Sequence, residues 1–93
     1  MTTSDLIAQL SDDSDTVRAC AAYDLGVIGD AEAVPALIEL LGSDRETDRR
    51  AAALALGHIG GEDAEDALEA ALDDEDAVVR RFAEQAVGVR RAA

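Results

Sequence analysis

The chain has 93 residues, 48% of them apolar, which is the scale of one domain with one modest core. Twenty-one acidic residues stand against eight arginines and no lysine, a net charge of −13. Such a load repels nucleic-acid phosphates and anionic membranes and keeps a chain dissolved where salt screens repulsion. No apolar run approaches the roughly 20 residues of a membrane span, MTTSDLIAQL lacks the basic start and long apolar stretch of a signal peptide, and Cys20 stands alone, so the expected setting is a reducing and saline cytoplasm.

The apolar residues are mostly Ala, Leu, Val and Ile, with one Tyr, one Phe and no Trp, a palette for small interlocking helices. In chain order, Leu6 and Leu10 lie four apart and predict a first helix over 3–11. The acidic run SDDSD then offers caps to a second over 15–28, with Val17, Ala21, Leu25 and Ile28 as its inward stripe and Gly29 as its stop. Pro35 opens a third over 33–42, carrying Leu37 and Leu41. SDRE precedes a fourth over 46–59, with Ala52, Leu56 and Ile59 inward, followed by Gly60 and Gly61. A fifth over 63–72 carries Leu68 and Leu72, and after DDED a sixth runs over 76–90. No segment shows the two-residue alternation of a strand.

These elements repeat. A shift of 31 superposes Gly26, Gly57 and Gly88, Arg18, Arg49 and Arg80, and Ala21, Ala52 and Ala83. Repeat units of about 1–31, 32–62 and 63–93 follow, each a helix pair too small to bury its own stripe, so the pairs must stack. The fold class is all-α, an α-solenoid of three stacked helix pairs in a single domain. The phrase Leu-Gly-x-Ile-Gly at 25–29 and 56–60 breaks down at AVGVRRAA, where no further helix is fed.

The stretch DTVRACAAYDLGVIGDAEAVPALIELL resembles the HEAT-like repeats first described in phycobilisome lyases: Val-Arg, two variable positions, Ala-Ala, then Leu-Gly-x-Ile-Gly-Asp and Ala-Val-Pro-x-Leu. Residues 17–41 match nearly in full, 49–72 well and 79–88 in part. The resemblance implies architecture, with a concave side that binds partners, because chemically unrelated proteins share it. The deoxyhypusine hydroxylases, similar in repeat design, hold two irons through His-Glu pairs just after the repeat's Arg. The matching pairs in this chain are Ala19-Cys20, Arg50-Ala51 and Arg81-Phe82, so the resemblance does not extend to iron, and nothing singles out a bilin site.

Arg18, Arg49 and Arg80 each follow an acid by five residues, at Asp13, Asp44 and Glu75. This spacing predicts a structural ladder of Arg-carboxylate pairs tying adjacent repeats. The acidic runs lack the central Gly and distal Glu of a calcium loop. Cys20 and His58 sit in different repeats, too few for a zinc site, and no Ser-His-Asp order is legible. No catalytic residue, metal ligand or cofactor is expected.

The functional signal lies where the repeats disagree. Aligned slots hold Ala19, Cys20, Tyr23 and Val27, then Arg50, Ala51, Leu54 and His58, then Arg81, Phe82, Gln85 and Val89. The only Cys, Tyr, His and Phe all fall in them. Tyr and Arg are interface-anchoring types, so Tyr23, Val27, Arg50, Leu54, His58, Arg81, Phe82 and Gln85 are the expected partner-binding residues. The competing view is that Leu54 and Phe82 merely fill the core. The expected function is a non-catalytic protein-protein interaction scaffold with a protein partner; the alternative is an accessory or lyase-like subunit gripping a small ligand in the same groove. Six of the eight arginines lie at or beyond residue 49, among them Arg90 and Arg91, but the acidic body disfavours nucleic acid. Apolar solenoid ends would imply self-association or a missing neighbour.

Overall fold

The computed structural model describes residues 1–92 and the side chains of residues 1–88. The described residues form α1 (Thr3–Gln9), α2 (Asp15–Ile28), α3 (Val34–Leu41), α4 (Glu46–Ile59), α5 (Glu62–Ala71) and α6 (Ala77–Ala92), with one 3-10 turn at Ala31–Ala33 and no strand. Each short helix packs on the long one that follows it, and the long helices lie side by side, α2 on α4 and α4 on α6. The molecule is therefore an α-solenoid of three stacked helix pairs, 35 × 25 × 16 Å in extent.

Local chemistry sets the ends of the elements. The Thr2 hydroxyl accepts from the Asp5 amide while the Asp5 carboxylate accepts from the Thr2 amide, a reciprocal cap that starts α1. That helix stops at Gln9, two residues short of the expected end, because the Leu10 and Ser11 amides turn to carbonyls three residues back. The Ser14 hydroxyl caps α2, and Gly29, at φ 76°, ends it in the left-handed conformation. Before α3, Asp30 accepts from the Glu32 amide and winds residues 31–33 into the 3-10 turn, so the helix begins at Val34.

Leu6, Leu25, Leu37, Leu56, Leu68 and Val79 are buried along the seam between the two helix layers, with Ala21, Ala52 and Ala83 at the repeated small positions. One member of the expected stripe departs from it. Ile28 is 50% exposed, whereas its equivalent Ile59, in the middle repeat with a neighbour on either side, packs against the core.

The repeated glycine is a contact between layers rather than a turn. A Cβ on Gly26 would lie 3.0 Å from the Ala55 Cα, and one on Gly57 would lie 3.3 Å from the Ala86 Cβ, whereas nothing lies within 4 Å at Gly88. Residues that pack layers together internally become polar at the two ends of the stack. Ala22 and Ala53 are buried but their equivalent Glu84 is exposed; Ala55 is buried but its equivalent Asp24 is exposed. Likewise Asp5 stands where Ala36 and Ala67 do, and Glu69 where Ile7 and Ile38 do. Those exchanges place acidic side chains on the outer faces of the first and third helix pairs.

Candidate functional site: the long-helix face

Among the described residues every arginine lies on or at the start of a long helix, and α1, α3 and α5 carry only acidic charges. In α5, Glu62, Asp63, Glu65, Asp66 and Glu69 occupy half of its ten positions. The short-helix layer is therefore uniformly negative, and the long-helix layer alone mixes both signs with apolar surface.

On that layer the candidates divide. Tyr23 is 43% and Val27 86% exposed on α2. Leu54 is half-buried and His58 exposed on α4; Phe82 is half-buried, Arg81 and Gln85 are exposed on α6. Four of these converge on a groove of about 310 Å³ between α4 and α6, lined by Leu54, Gly57, His58, Gly60, Phe82, Gln85 and Ala86. Leu54, Phe82 and Ala86 make it apolar, and His58 and Gln85 supply polar groups at its edge. Phe82 belongs to both readings of the sequence, since it packs against the core and forms a wall of the groove. Ala51 does not face outward at all: it is fully buried. Tyr23, Val27 and Arg81 lie outside the groove, and the side chains of Val89, Arg90 and Arg91 lie outside the described residues.

Arg50 is engaged elsewhere. Its Nε and Nη2 donate to the two Asp76 oxygens at 2.8 and 2.7 Å, a bidentate pair. The hydrogen bond it donates to Asp76 is the main cause of a raised Arg50 pKa, against opposing desolvation. The same bond holds the Asp76 carboxyl well below the usual carboxylate range, aided by the Val79 amide it caps. Arg50 thus ties α4 to the start of α6 rather than standing free for a partner.

The arginine ladder is present with different acids. Arg18 donates Nε to Asp48 at 3.0 Å and also pairs with Asp15; Arg49 donates Nε to Asp74 at 3.0 Å. Asp13 and Asp44 are exposed and hold none of these arginines. Glu75 approaches Arg49 at 3.9 Å rather than Arg80. Five residues before the arginine is the wrong reach, because each guanidinium turns its Nη1 onto a backbone carbonyl six residues back and extends toward the next layer. Asp48 carried a signal that sequence reasoning passed over. It occupies the position of Val17 and Val79, and a carboxylate in an apolar stripe needs a buried partner. The glycines and Ala86 of the groove carried none, since their role depends on how far α6 stands from α4.

The described residues contain no cluster of three or more His, Cys, Asp or Glu side chains placed to hold a metal ion, and no helix among them is long and apolar enough to cross a membrane. The family described as HEAT repeats matches residues 3–88. The chain belongs to the HEAT-repeat family. This HEAT-repeat chain is similar to the solved structure of human deoxyhypusine hydroxylase in complex with glycerol, with 30% identity and a TM-score of 0.89 over 98% of its own length. It spans only 32% of the hydroxylase chain. No curated protein sequence matches it closely.

Proposed function

We propose that the chain is a non-catalytic protein-interaction module, of the phycobilisome-lyase type of HEAT-like repeat, working in a saline cytoplasm. The observation that carries this reading is the groove between α4 and α6. Leu54, His58, Phe82 and Gln85 come from sequence slots where the repeats disagree, and they converge there as an apolar floor with two polar groups. A cleft of about 310 Å³ suits one or two apolar side chains of a partner, the anchor-in-pocket arrangement in which interface energy concentrates. Exposed Tyr23 and Val27 extend the apolar surface on α2, and Arg81 supplies a cation on α6.

The experiment is affinity capture from the source cell at native salt, comparing the wild type with a Leu54→Glu, Gln85→Ala variant whose helicity is unchanged. A partner retained by the wild type and lost by the variant supports the groove; identical captured sets overturn it.

A second reading, an accessory subunit with a ligand in the same groove, is favoured by the likeness to a solved hydroxylase. The positions of the expected iron ligands hold Ala19-Cys20, Arg50-Ala51 and Arg81-Phe82, which weighs against carrying that activity over. Stoichiometric iron or a pigment absorbance in protein purified from its source would replace the interaction module with this reading.

A further inference from the structure

We propose that the groove between α3 and α5, on the short-helix layer, is a second docking surface, and that its occupant is a basic amphipathic helix of a partner protein. It is independent of the α4/α6 groove, which lies on the long-helix layer.

The floor of this groove is apolar along both helices. Where α3 and α5 begin, Val34, Pro35, Ile38 and Ala67 form a cleft of about 540 Å³ with Asp63 and Asp66 on its rim. Ile38 and Ala67 continue into a second cleft of about 290 Å³ that also takes in Leu41 and Ala70. The two clefts share those residues and so make one groove running along the helices. Its α5 wall is Ala67, Ala70 and Ala71, short side chains that let another helix come close. The neighbouring cleft between α1 and α3 differs. Glu39 stands there where Ala70 does, and Ser11 and Ser43 join it, so polar groups break its floor.

The rim decides the charge of the occupant. Asp63 and Asp66 lie three residues apart on one face of α5, both exposed and without an ion pair among the described residues. The helix dipole accounts for acids in the first turn, Glu62, Asp63 and Glu65. Asp66 lies beyond that turn, where the other repeats have Ser4 and Pro35. No basic side chain on α3 or α5 answers this pair, since both helices carry only acidic charge. Asp74, at the far end of the groove, is already held by Arg49.

A lysine or arginine matches the arrangement in both of its parts. Its methylene stem lies on Val34, Pro35 and Ile38 while its charged head reaches the two carboxylates. Apolar side chains one and two turns further along an α-helix then fall on Leu41 and Ala70, because Pro35 to Leu41 spans about 9 Å of helix. Salt screens the acids beyond about 8 Å at physiological strength, so a cation gains only when seated on them, and the apolar floor supplies the rest of the affinity. A second copy of the chain is disfavoured, because each copy brings a net charge of −13 to the encounter.

The test is a titration of the isotopically labelled full chain, followed through its backbone amide signals by NMR. The probe is an acetylated and amidated peptide of about 18 residues, built from Leu, Ala and Lys with the leucines on one helical face. Saturable shifts at Ile38, Ala67 and Ala70, with Leu54 and Gln85 unmoved, are expected. A peptide of the same composition, scrambled so that the leucine face is lost, should bind at least about tenfold more weakly. An Asp63→Asn, Asp66→Asn variant should also lose about tenfold with the original peptide. Asp13→Asn combined with Asp24→Asn removes the same charge from exposed positions elsewhere and should cost less than about threefold. Ala70→Gln, at an exposed helical position, fills the groove without changing charge and should weaken binding about tenfold. Absence of saturable shifts at millimolar peptide, shifts at Leu54 and Gln85, equal binding of the two peptides, equal losses from the two aspartate pairs, or full binding by a folded Ala70→Gln variant would overturn the proposal. Sedimentation of the chain alone tests the other occupant: a monomer supports a foreign helix, and a dimer dispersed by Ala70→Gln refutes that choice.

Discussion

The two junctions between long helices are built from the same repeat yet differ in tightness. Between α2 and α4, Gly26 brings the backbones close enough that a Cβ would lie 3.0 Å from the Ala55 Cα, and the Arg18–Asp48 pair is almost wholly shielded, at 6% and 5% side-chain exposure. Between α4 and α6 the glycine contact is looser, the pairs Arg49–Asp74 and Arg50–Asp76 are more exposed, and Phe82 replaces the small Cys20 and Ala51 of its slot. The groove opens at the looser junction. One architectural frame thus yields a sealed seam and an open one through a few side-chain volumes.

Mutations graded along the two seams can break this contrast. The largest effect is expected for Asp48→Ala, because the buried Arg18 guanidinium loses its one shielded carboxylate and keeps only the exposed Asp15; Asp48 is 3% exposed, and its removal should cost about 3 kcal/mol in urea unfolding. Asp74→Ala should cost about half as much at the more solvated junction. Equal losses would show that the seams are energetically alike.

Adding a methyl group to each repeated glycine comes next in size. Gly26→Ala should destabilise by about 1–2 kcal/mol, because its Cβ meets backbone and the helices must part. Gly57→Ala should be near neutral, the contact with the Ala86 methyl offsetting the gain in helix propensity. Gly88→Ala, with nothing within 4 Å, should stabilise by about 0.5–1 kcal/mol. Three equal shifts of the denaturation midpoint would contradict the graded spacing.

Acid should act on the open seam. Arg50's hydrogen bond lowers the Asp76 pKa below its ordinary 3.8, so the unfolded chain takes up this proton before the native state does. The stabilising contribution is complete above about pH 4 and is lost as pH falls through the depressed native value. Unfolding midpoints followed from pH 5 downward should fall less steeply in Asp76→Asn than in the wild type; parallel profiles would remove Asp76 from the acid response. The smallest effect is differential screening. In about 1 M salt the cost of Asp74→Ala should shrink while that of Asp48→Ala persists, and a uniform reduction would mean that neither pair is shielded.

Much of the fold was legible because the 31-residue period repeats its punctuation. Gly29 stops α2, Ser14 caps it, and Leu25, Leu56 and their neighbours mark the buried face, all through local rules of backbone geometry and helical spacing. The candidate site was legible in part: Leu54, His58, Phe82 and Gln85 drew notice as departures from the repeat, and they do meet. Arg50 belonged to the same set by alignment and proved to be engaged by Asp76, because alignment records which slot a residue fills and not what the next layer places before it.

The sequence by itself determined the helices, their pairing and the stacking order, since caps, stops and apolar periodicity act within a few residues along the chain. The acids of the ladder, the close approach at Gly26 and the opening at Phe82 were decided only in the tertiary structure. Each depends on the distance between residues roughly one repeat apart, and that distance is set by how far the side chains between two helices hold them from one another.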